Sequence, residues 1–347
     1  MILAQEQFAQ DYDSFGMNQS ETPYNEQDGG LSTLETPAED PINPGNFSGG
    51  GTYKDLSVQK LVIGGGKQIT IDTTGDIQSA LDEINTAGGG VLHLSPGIYL
   101  PKGSISVYST ISIRGLNQTD TIIDFGGNAY NFQLVGTDTY TDGTIASISG
   151  GVNVTGSSTA WTSDMIGRQI FIDERWYIIA NVLSATSLTL TSGYADGATF
   201  SGSYRIANPI LDVTFQHLTI KNSAATAISA TDVRDLSILN CTFLDNNKGF
   251  TLTNFMNVII DTVSNISATS NGYELTNGTF CNNYSHASVS NGGHGAVLVN
   301  TRTSGWILSA CDSNTNNGFD IDVNDSNDLL LNVEAASNGG DGISIHT

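Results

Sequence analysis

Regular alternation of apolar and polar residues dominates the second half of the chain. A glycine recurs about every 23 residues between Gly249 and Gly342, and apolar residues follow each one at every second position. A period of two is typical of a half-buried β-strand, and a fixed repeat of this length indicates a solenoid. We therefore predict coils stacked about 4.8 Å apart around an apolar interior. The residues expected to point inward are Phe250, Leu252, Tyr273, Leu275, Ala296, Leu298, Phe319, Ile321, Ile343 and Ile345.

A second set of apolar positions, the predicted strand starts, repeats with a similar period. In this register Cys241 and Cys311 share a column three coils apart, about 14 Å, which is beyond disulfide distance. The third cysteine is Cys281, and the spacing of the three is not typical of a metal site. We predict that all three thiols are buried and reduced. The predicted strand starts are Val213, Leu236, Val258, Phe280, Trp306 and Leu329.

One amphipathic helix is predicted before the repeats, between residues 74 and 86. Its apolar positions share one face, as in a helix packed on a core. Thr74 is the expected N-cap, and three glycines at residues 88–90 end the helix. The apolar face consists of Ile77, Ala80, Leu81 and Ile84, and strands are expected at residues 56–63, 91–94, 97–100, 111–115 and 121–124.

Residues 137–207 interrupt the repeat. They contain the sequence VTGSSTAWT at residues 154–162, then WYII from Trp176 and SLTL from Ser187. Short β-rich runs separated by turn residues predict a small β-barrel or sandwich. We therefore predict an inserted module at this place.

The order of short helix, GGG turn, VLHL strand from Val91 and PGIY sequence from Pro96 resembles the N-terminal entry of pectate-lyase-like right-handed parallel β-helices. The resemblance covers residues 60–136 and 208–347. It implies an all-β, right-handed parallel β-helix with one capping helix. That family includes polysaccharide lyases, glycosidases, epimerases and trimeric phage tailspikes, so it implies fold better than chemistry. The pattern of residues 137–207 is similar to a small β-module of phage tail and virion proteins.

Composition narrows the class of partner. The 347 residues include 12 Lys and Arg against 35 Asp and Glu, a formal net charge of −23, which disfavours nucleic acid and anionic membranes. The 39 glycines and only 14% charged residues suit short strands and turns better than long helices. The sequence predicts no membrane insertion, because no apolar run is long enough, and it predicts no metal and no cofactor.

The N-terminal segment differs from the rest of the chain. Residues 1–50 contain nine acidic residues, no Lys or Arg and four of the seven prolines. Such a segment buries too little apolar surface to offset its ordering entropy. We predict an extended acidic tail that orders on a larger assembly, with a disordered terminus as the alternative. The predicted organisation is a tail at 1–55, a β-helix entry at 56–136, the inserted module at 137–207 and β-helix repeats at 208–347.

Candidate catalytic chemistry rests on Glu274 and Asp320. Both fall on outward positions of one column, two coils and about 9.5 Å apart, at the upper end of the carboxylate spacing of inverting glycosidases. A subunit interface around Val297 and Val299, or plain surface, is the alternative. A lyase would need a base beside calcium-binding acids, and no lyase motif is recognisable. Asp232 with Asp235, or Asp320, Asp322, Asp325 and Asp328, could offer oxygen ligands, although turn capping explains such residues as well.

Candidate saccharide-binding residues are Trp161, Trp176 and Asp322. An indole ring can stack on a sugar, but at strand spacing it is more often a core residue. His294 precedes a repeat glycine, where a left-handed turn explains it without catalysis.

These observations and the resemblance predict a phage virion surface protein of the tailspike or tail-fibre kind. In this hypothesis residues 1–55 attach it to other virion proteins, the chain forms a homotrimer, and the β-helix binds host-surface polysaccharide. A capsid decoration or cement protein is one alternative, and a polysaccharide depolymerase, either hydrolase or lyase, is another. Because the sequence stops within a repeat, we expect the open coil to be covered by another subunit, another protein or further residues.

Overall fold

The computed structural model describes residues 66–194, 199–302, 305–322 and 329–346. The predicted tail at residues 1–55 and the predicted strand at 56–63 lie outside these ranges. In the part of the chain that the structure describes, no helix has the length and apolarity needed to cross a membrane.

The predicted helix is present but has a different N-cap. Residues Ile77–Thr86 form helix α1, with the four predicted apolar side chains buried. Asp76 caps it, because its carboxylate accepts a hydrogen bond from the backbone N of Ser79 at 2.7 Å and so satisfies an N–H group of the first turn. The expectation for Thr74 is wrong, since its hydroxyl donates to Asp72 at 2.6 Å. The neighbouring strands are β1 (Lys67–Ile71), β2 (Gly90–Leu94), β3 (Gly97–Tyr99), β4 (Ile105–Ser106), β5 (Ile111–Arg114), β6 (Thr121–Asp124) and β7 (Phe132–Val135).

An antiparallel sheet follows β7. Within residues 137–194 and 199–208, eight strands form this sheet around their own apolar core, which includes Ile145, Trp161 and Ile206. Whether it is the phage-type module of the sequence analysis stays a prediction. Its strands are β8 (Thr137–Tyr140), β9 (Thr144–Ser149), β10 (Asn153–Ser157), β11 (Gln169–Ile172), β12 (Arg175–Ser184), β13 (Ser187–Leu190), β14 (Thr199–Gly202) and β15 (Arg205–Asn208), with a 3₁₀ turn at Ser163–Met165.

Parallel pairing then resumes and builds the solenoid. Strand β5 pairs with the next strand of the chain, β16 (Ile210–Lys221), so the coils before and after the antiparallel sheet stack directly on each other. The all-β parallel β-helix predicted from the sequence is thereby confirmed. The later strands are β17 (Thr226–Leu244), β18 (Lys248–Asp261), β19 (Ser264–Ile266), β20 (Tyr273–Tyr284), β21 (Ala287–Val289), β22 (Ala296–Arg302), β23 (Gly305–Ile307), β24 (Ala310–Asp312), β25 (Phe319–Asp322), β26 (Leu329–Leu331) and β27 (Ile343–His346).

The interior column matches the predicted alternation except at its last coil. Phe250 and Tyr273 pair in register and stack with ring centroids 4.9 Å apart, and Phe319 is fully buried two coils further on. Ile343 and Ile345 pair with this column but are 42% and 63% exposed. Their burial was predicted wrongly, because no described strand stacks on the far side of β27.

The register differs from the prediction at Phe280. Val258 pairs with Cys281, so Phe280 lies one residue earlier, at a corner with φ 58. Cys241 pairs with Leu218, whereas Cys311 pairs with Ser288, and the two thiols therefore occupy different columns. All three cysteines are free and buried, as predicted.

Left-handed corners separate the strands of each coil. Asp212, Asp235, Asn257 and Phe280 occupy equivalent corners of successive coils, all with φ between 53 and 58. Asp and Asn tolerate this conformation better than other residues with a Cβ atom. Asp and Asn thus favour the turn at these corners, whereas Phe280 and the equivalent Thr110, with φ 61, are exceptions in this column.

Ion pairs and hydrogen bonds join the antiparallel sheet to the side of the solenoid. Arg205 Nε lies 2.7 Å from the fully buried carboxylate of Asp232, and Arg302 contacts Asp173 at 2.7 Å. The indole Nε1 of Trp176 donates to the backbone oxygen of Asn254 at 2.9 Å. Three coils therefore hold the sheet, since these solenoid residues come from β17, β18 and β22.

Candidate functional site

One outer side of the solenoid carries two columns of outward-pointing residues, which we call the groove face. It comprises residues 111–114, 213–216, 236–239, 258–261 and 281–284, which pair in register. In each segment the first and third residues point inward and the second and fourth outward, as the pleat requires. One outward column reads Ser112, Thr214, Ser237, Ile259 and Asn282, and the other reads Arg114, Gln216, Leu239, Asp261 and Tyr284.

A groove of about 560 Å³ crosses this face from β5 to β18. This volume lies within the range of small-molecule binding sites. Backbone of the glycine turn after α1 borders one end, at Gly88, Gly89 and Gly90. The floor combines hydroxyl, amide, guanidinium and aliphatic groups, so it offers both hydrogen bonds and an apolar surface to a ligand.

Arg114 and two histidines lie at the β5 end of the groove. His93 pairs with Arg114 from the preceding coil, and the Nε2 atoms of Gln216 and His217 are 2.9 Å apart. Partial burial lowers the pKa of His93 and of His217, and the positive charge of Arg114 lowers both further. Both rings are therefore neutral at pH 7, and Arg114 carries the positive charge at this end.

Arg114 has no carboxylate partner among the described residues, in a chain whose net charge is −23. Its Nε atom is buried, and among the described residues no group accepts a hydrogen bond from it. Two other cations of the solenoid are paired with carboxylates: Lys221 with Asp124 at 3.3 Å and Lys248 with Glu274 at 2.7 Å. Arg114 is thus available to an external acceptor.

The opposite wall of the groove is acidic and polar. Asp212, Asp235 and Asn257 occupy the left-handed corners that border it. The side-chain amide of Asn257 donates to the carboxylate of Asp235, which fixes the orientation of both groups. Carboxylate and amide oxygens arranged in this way accept hydrogen bonds from hydroxyl groups.

Exposed apolar side chains continue the groove face beyond the groove. Tyr284 is 41% exposed and lies in the same column as Arg114, about 19 Å away at four strand spacings. Phe280, beyond the groove, is 40% exposed, and Ile259, at the edge of the groove, is 39% exposed. The guanidinium of Arg175, from the antiparallel sheet, lies 5.8 Å from the centre of the Phe280 ring.

The predicted acids lie on another side, which we call the glycine face: the outward residues of segments 250–253, 273–276, 296–299, 319–322 and 343–346. Glu274 and Asp320 share a column, with Val297 between them, as the sequence register predicts. Glu274 is bound by Lys248 at 2.7 Å and by the side-chain amide of Asn271 at 2.8 Å. Asn271 holds the carboxylate from its own turn, and Lys248 holds it from the preceding coil.

Asp320 repeats the arrangement of Glu274. The amide of Asn317 donates to its carboxylate at 2.9 Å, and the ring of His346 does so at 2.9 Å. Burial raises the pKa of Asp320, but these hydrogen bonds and the nearby imidazoles of His294 and His346 outweigh burial, so the pKa falls below its ordinary value. An acid that stays ionised is suited to a general base and unsuited to a proton donor.

The predicted binding residues are not brought together. Trp161 and Trp176 are 3% and 4% exposed, and Trp161 Nε1 donates to the hydroxyl of Tyr204 at 2.9 Å. Both rings are core residues and offer no face to a sugar, which corrects the expectation of stacking. Asp322 is exposed on the glycine face, away from both indoles.

His294 has a structural role that differs from the predicted one. Its φ is not in the left-handed region. Its backbone N donates to the side chain of Asn271 at 2.8 Å, and its Nδ1 accepts from the backbone of Asn317 at 3.3 Å. His294 therefore links three successive turns.

The acids proposed as calcium ligands also have partners. Asp232 is bound by Arg205 and by the amide of Asn254 at 2.8 Å, while Asp325 and Asp328 lie outside the described residues. Within the described ranges, no cluster of three or more His, Cys, Asp or Glu side chains is arranged to hold a metal ion.

Sequence reasoning missed the groove. Arg114 and Gln216 are adjacent in space although the excursion through residues 137–207 separates them in the chain. The available signal was the alternation within the sequence ISIR at 111–114 and VTFQ at 213–216, which places a polar residue at the same outward position of each.

The fold and register define the class of protein: a parallel β-solenoid with an antiparallel sheet attached to its side. No protein-family model and no curated protein matches the chain in sequence. Solved structures that resemble it include phage tailspikes. The tailspike gp61 of Pseudomonas phage phi297 is 13% identical, with a TM-score of 0.49 over 71% of this chain and 49% of that one.

Two further tailspikes show similar agreement. The tailspike gp49 of Pseudomonas phage LKA1 is 14% identical, with a TM-score of 0.47 over 74% of this chain and 51% of that one. The Gp54 tailspike of Acinetobacter baumannii bacteriophage AP22, solved with a capsular saccharide, is 13% identical, with a TM-score of 0.43 over 79% and 56%. The chain spans about half the length of the tailspikes it matches, and the likeness concerns the fold.

Proposed function

We propose that this protein is a virion surface protein of the phage tailspike type and that its groove binds host-surface polysaccharide. The observation that carries the proposal is the groove of about 560 Å³ on the groove face. Hydroxyl and amide side chains from successive coils line it beside the aliphatic Leu239 and Ile259. This combination suits a sugar, which presents hydroxyl groups at its rim and C–H groups on its faces.

Rigidity of the wall supports the same proposal. The groove residues stand on parallel strands whose inward neighbours, such as Ile113, Phe215 and Ile238, are fully buried. Side chains held in this way lose little conformational freedom on binding, and a preformed site binds more tightly for the same contacts. An extended polysaccharide can also run along the coils toward Tyr284.

Filling the groove tests the proposal. Ser237→Trp places a large side chain on the groove floor, at an outward strand position where an aromatic residue is tolerated. We expect it to abolish binding to host-cell polysaccharide, measured by biolayer interferometry with capsule or lipopolysaccharide extracts. Thr253→Trp, at an outward position of the glycine face, is the matched control and should bind as the unmodified chain does. Equal binding by both variants would refute a site in the groove.

Attachment and assembly are further parts of the proposal. Residues 1–55 would fix the protein to the particle, because this acidic, proline-containing segment is suited to ordering on a partner. Deletion of residues 1–50 should leave saccharide binding intact and abolish incorporation into particles. We infer a homotrimer by analogy with phage tailspikes. Light scattering tests it by measuring the molar mass of the protein in solution. Copy number per particle separates a spike, present in few copies, from a capsid decoration protein.

Polysaccharide cleavage is the second candidate, favoured by the shared column of Glu274 and Asp320. Because its pKa is lowered, Asp320 suits the role that activates water, and Glu274 would serve as the proton donor only after release from Lys248. Incubation with host polysaccharide should then yield new reducing ends, which Glu274→Gln and Asp320→Asn should each abolish. New unsaturated uronates would instead indicate a lyase, and unchanged cleavage by both variants would exclude these residues.

A further inference from the structure

We propose that the groove recognises a saccharide unit carrying an ionised carboxylate and that Arg114 is the counter-ion of that carboxylate. The inference rests on the proposed function and adds the chemical class of ligand. It starts from Arg114, which faces the groove without a carboxylate partner among the described residues. Arg114 is the positively charged side chain among the residues that line the groove. A cation without a carboxylate partner attracts an anionic group of a ligand.

The geometry of a guanidinium group favours a carboxylate. Its planar fork donates two parallel hydrogen bonds to a carboxylate or a phosphate. Asp212 and Asp235 line the same groove and repel any anion through space. A phosphate monoester carries up to about two negative charges at pH 7, so these aspartates disfavour it more than a singly charged carboxylate.

The remaining groove groups suit the rest of an acidic sugar. Leu239 lies two strand spacings from Arg114 in the same column, about 10 Å, and provides an apolar surface there. Asp235 and Asn257 border the groove with oxygen acceptors for hydroxyl groups. A ligand with its carboxylate at Arg114 therefore places its hydroxyl groups toward acceptors and keeps its charge at the end away from the corner aspartates.

The test compares acidic saccharides with their neutral derivatives. The full chain is applied to an array of acidic bacterial polysaccharide fragments, each printed beside its carboxyl-reduced form and beside phosphorylated neutral fragments. We expect at least about tenfold stronger binding to the carboxylate forms, weakening as NaCl is raised. Arg114→Gln should lose this preference and most of the salt dependence, while Arg114→Lys should keep part of both. Lys102→Gln, which removes one charge from an exposed side chain outside the groove, should behave as the unmodified chain does.

Each other outcome overturns the inference in an identifiable way. If reduced fragments bind as well as acidic ones, or if the Arg114 and Lys102 variants behave alike, Arg114 is not the counter-ion. If Ser237→Trp abolishes the binding of these fragments, the proposed function still holds. If phosphorylated fragments bind best and depend on Arg114, the ligand class is phosphate. If no fragment is retained, both the inference and the proposed function fail. Circular dichroism and thermal unfolding verify that each variant is folded.

Discussion

Replacing Arg205 by glutamine should loosen the contact between the antiparallel sheet and the solenoid. Arg205 Nε lies 2.7 Å from the carboxylate of Asp232, whose side chain is fully buried. Removing one partner of a buried ion pair costs about 3–5 kcal/mol. Here Arg205 keeps 28% of its side-chain exposure, and Asn254 still donates to the carboxylate at 2.8 Å. We therefore expect the free energy of unfolding to fall by about 2–3 kcal/mol.

The loss is measured by urea unfolding, followed by tryptophan fluorescence, since Trp176 lies at the contact between the sheet and the solenoid. Asp232→Asn is the matched partner, because asparagine tolerates the φ of 58 at this position and can still accept from Asn254. The double variant of Arg205 and Asp232 should lose at least about 1 kcal/mol less than the sum of the two single variants. Simple additivity, or an Arg205→Gln protein of unchanged stability, would refute the reasoning.

Three further predictions concern the solenoid alone. Gly278→Ala should reduce the free energy of unfolding by about 1–3 kcal/mol, because the new Cβ would lie 2.5 Å from the ring of Phe255. Gly305→Ala is the control and should change the free energy of unfolding little, since its Cβ meets nothing closer than 3.5 Å. The pKa of Asp320 in the folded state is depressed below 3.8. Its contribution to stability is therefore present above that value and is lost as pH falls through the folded-state pKa. Between about pH 5 and pH 2, the urea midpoint of Asp320→Asn should fall less steeply than that of the unmodified chain. The three fully buried thiols should react with Ellman's reagent only upon unfolding, and rapid reaction of the native protein would contradict their placement.

The interior of the solenoid was predictable because alternation and turn glycines repeat in the sequence. Phe250, Tyr273 and Phe319 were therefore assigned to one column correctly. The assignment of Phe280 failed for a physical reason. Corners favour Asp and Asn, so a bulky aromatic residue between two strands was indistinguishable from the start of the second strand. The cysteine columns were placed wrongly for a separate reason: Trp306, taken as a strand start, pairs with Asn283, two residues after Cys281.

The candidate sites differ in how far sequence could reveal them. Glu274 and Asp320 were placed in one column correctly because coils of equal length separate them. The side chains that bind the two carboxylates could not be predicted, because residue spacing does not specify the direction of a side chain. Arg114 and Gln216 could not be joined, because the excursion through residues 137–207 hides the repeat at the point where their coils meet. The groove became recognisable only when the pairing of β5 with β16 was known.

The separation of inward and outward residues within each strand has an evolutionary consequence. Residues such as Gln216 and Leu239 face the groove, while their immediate neighbours Phe215 and Ile238 are sealed inside. A substitution at an outward site alters the surface presented to a ligand and leaves the packing beneath it untouched. The binding specificity of such an architecture can thus change coil by coil, while each mutation preserves the scaffold.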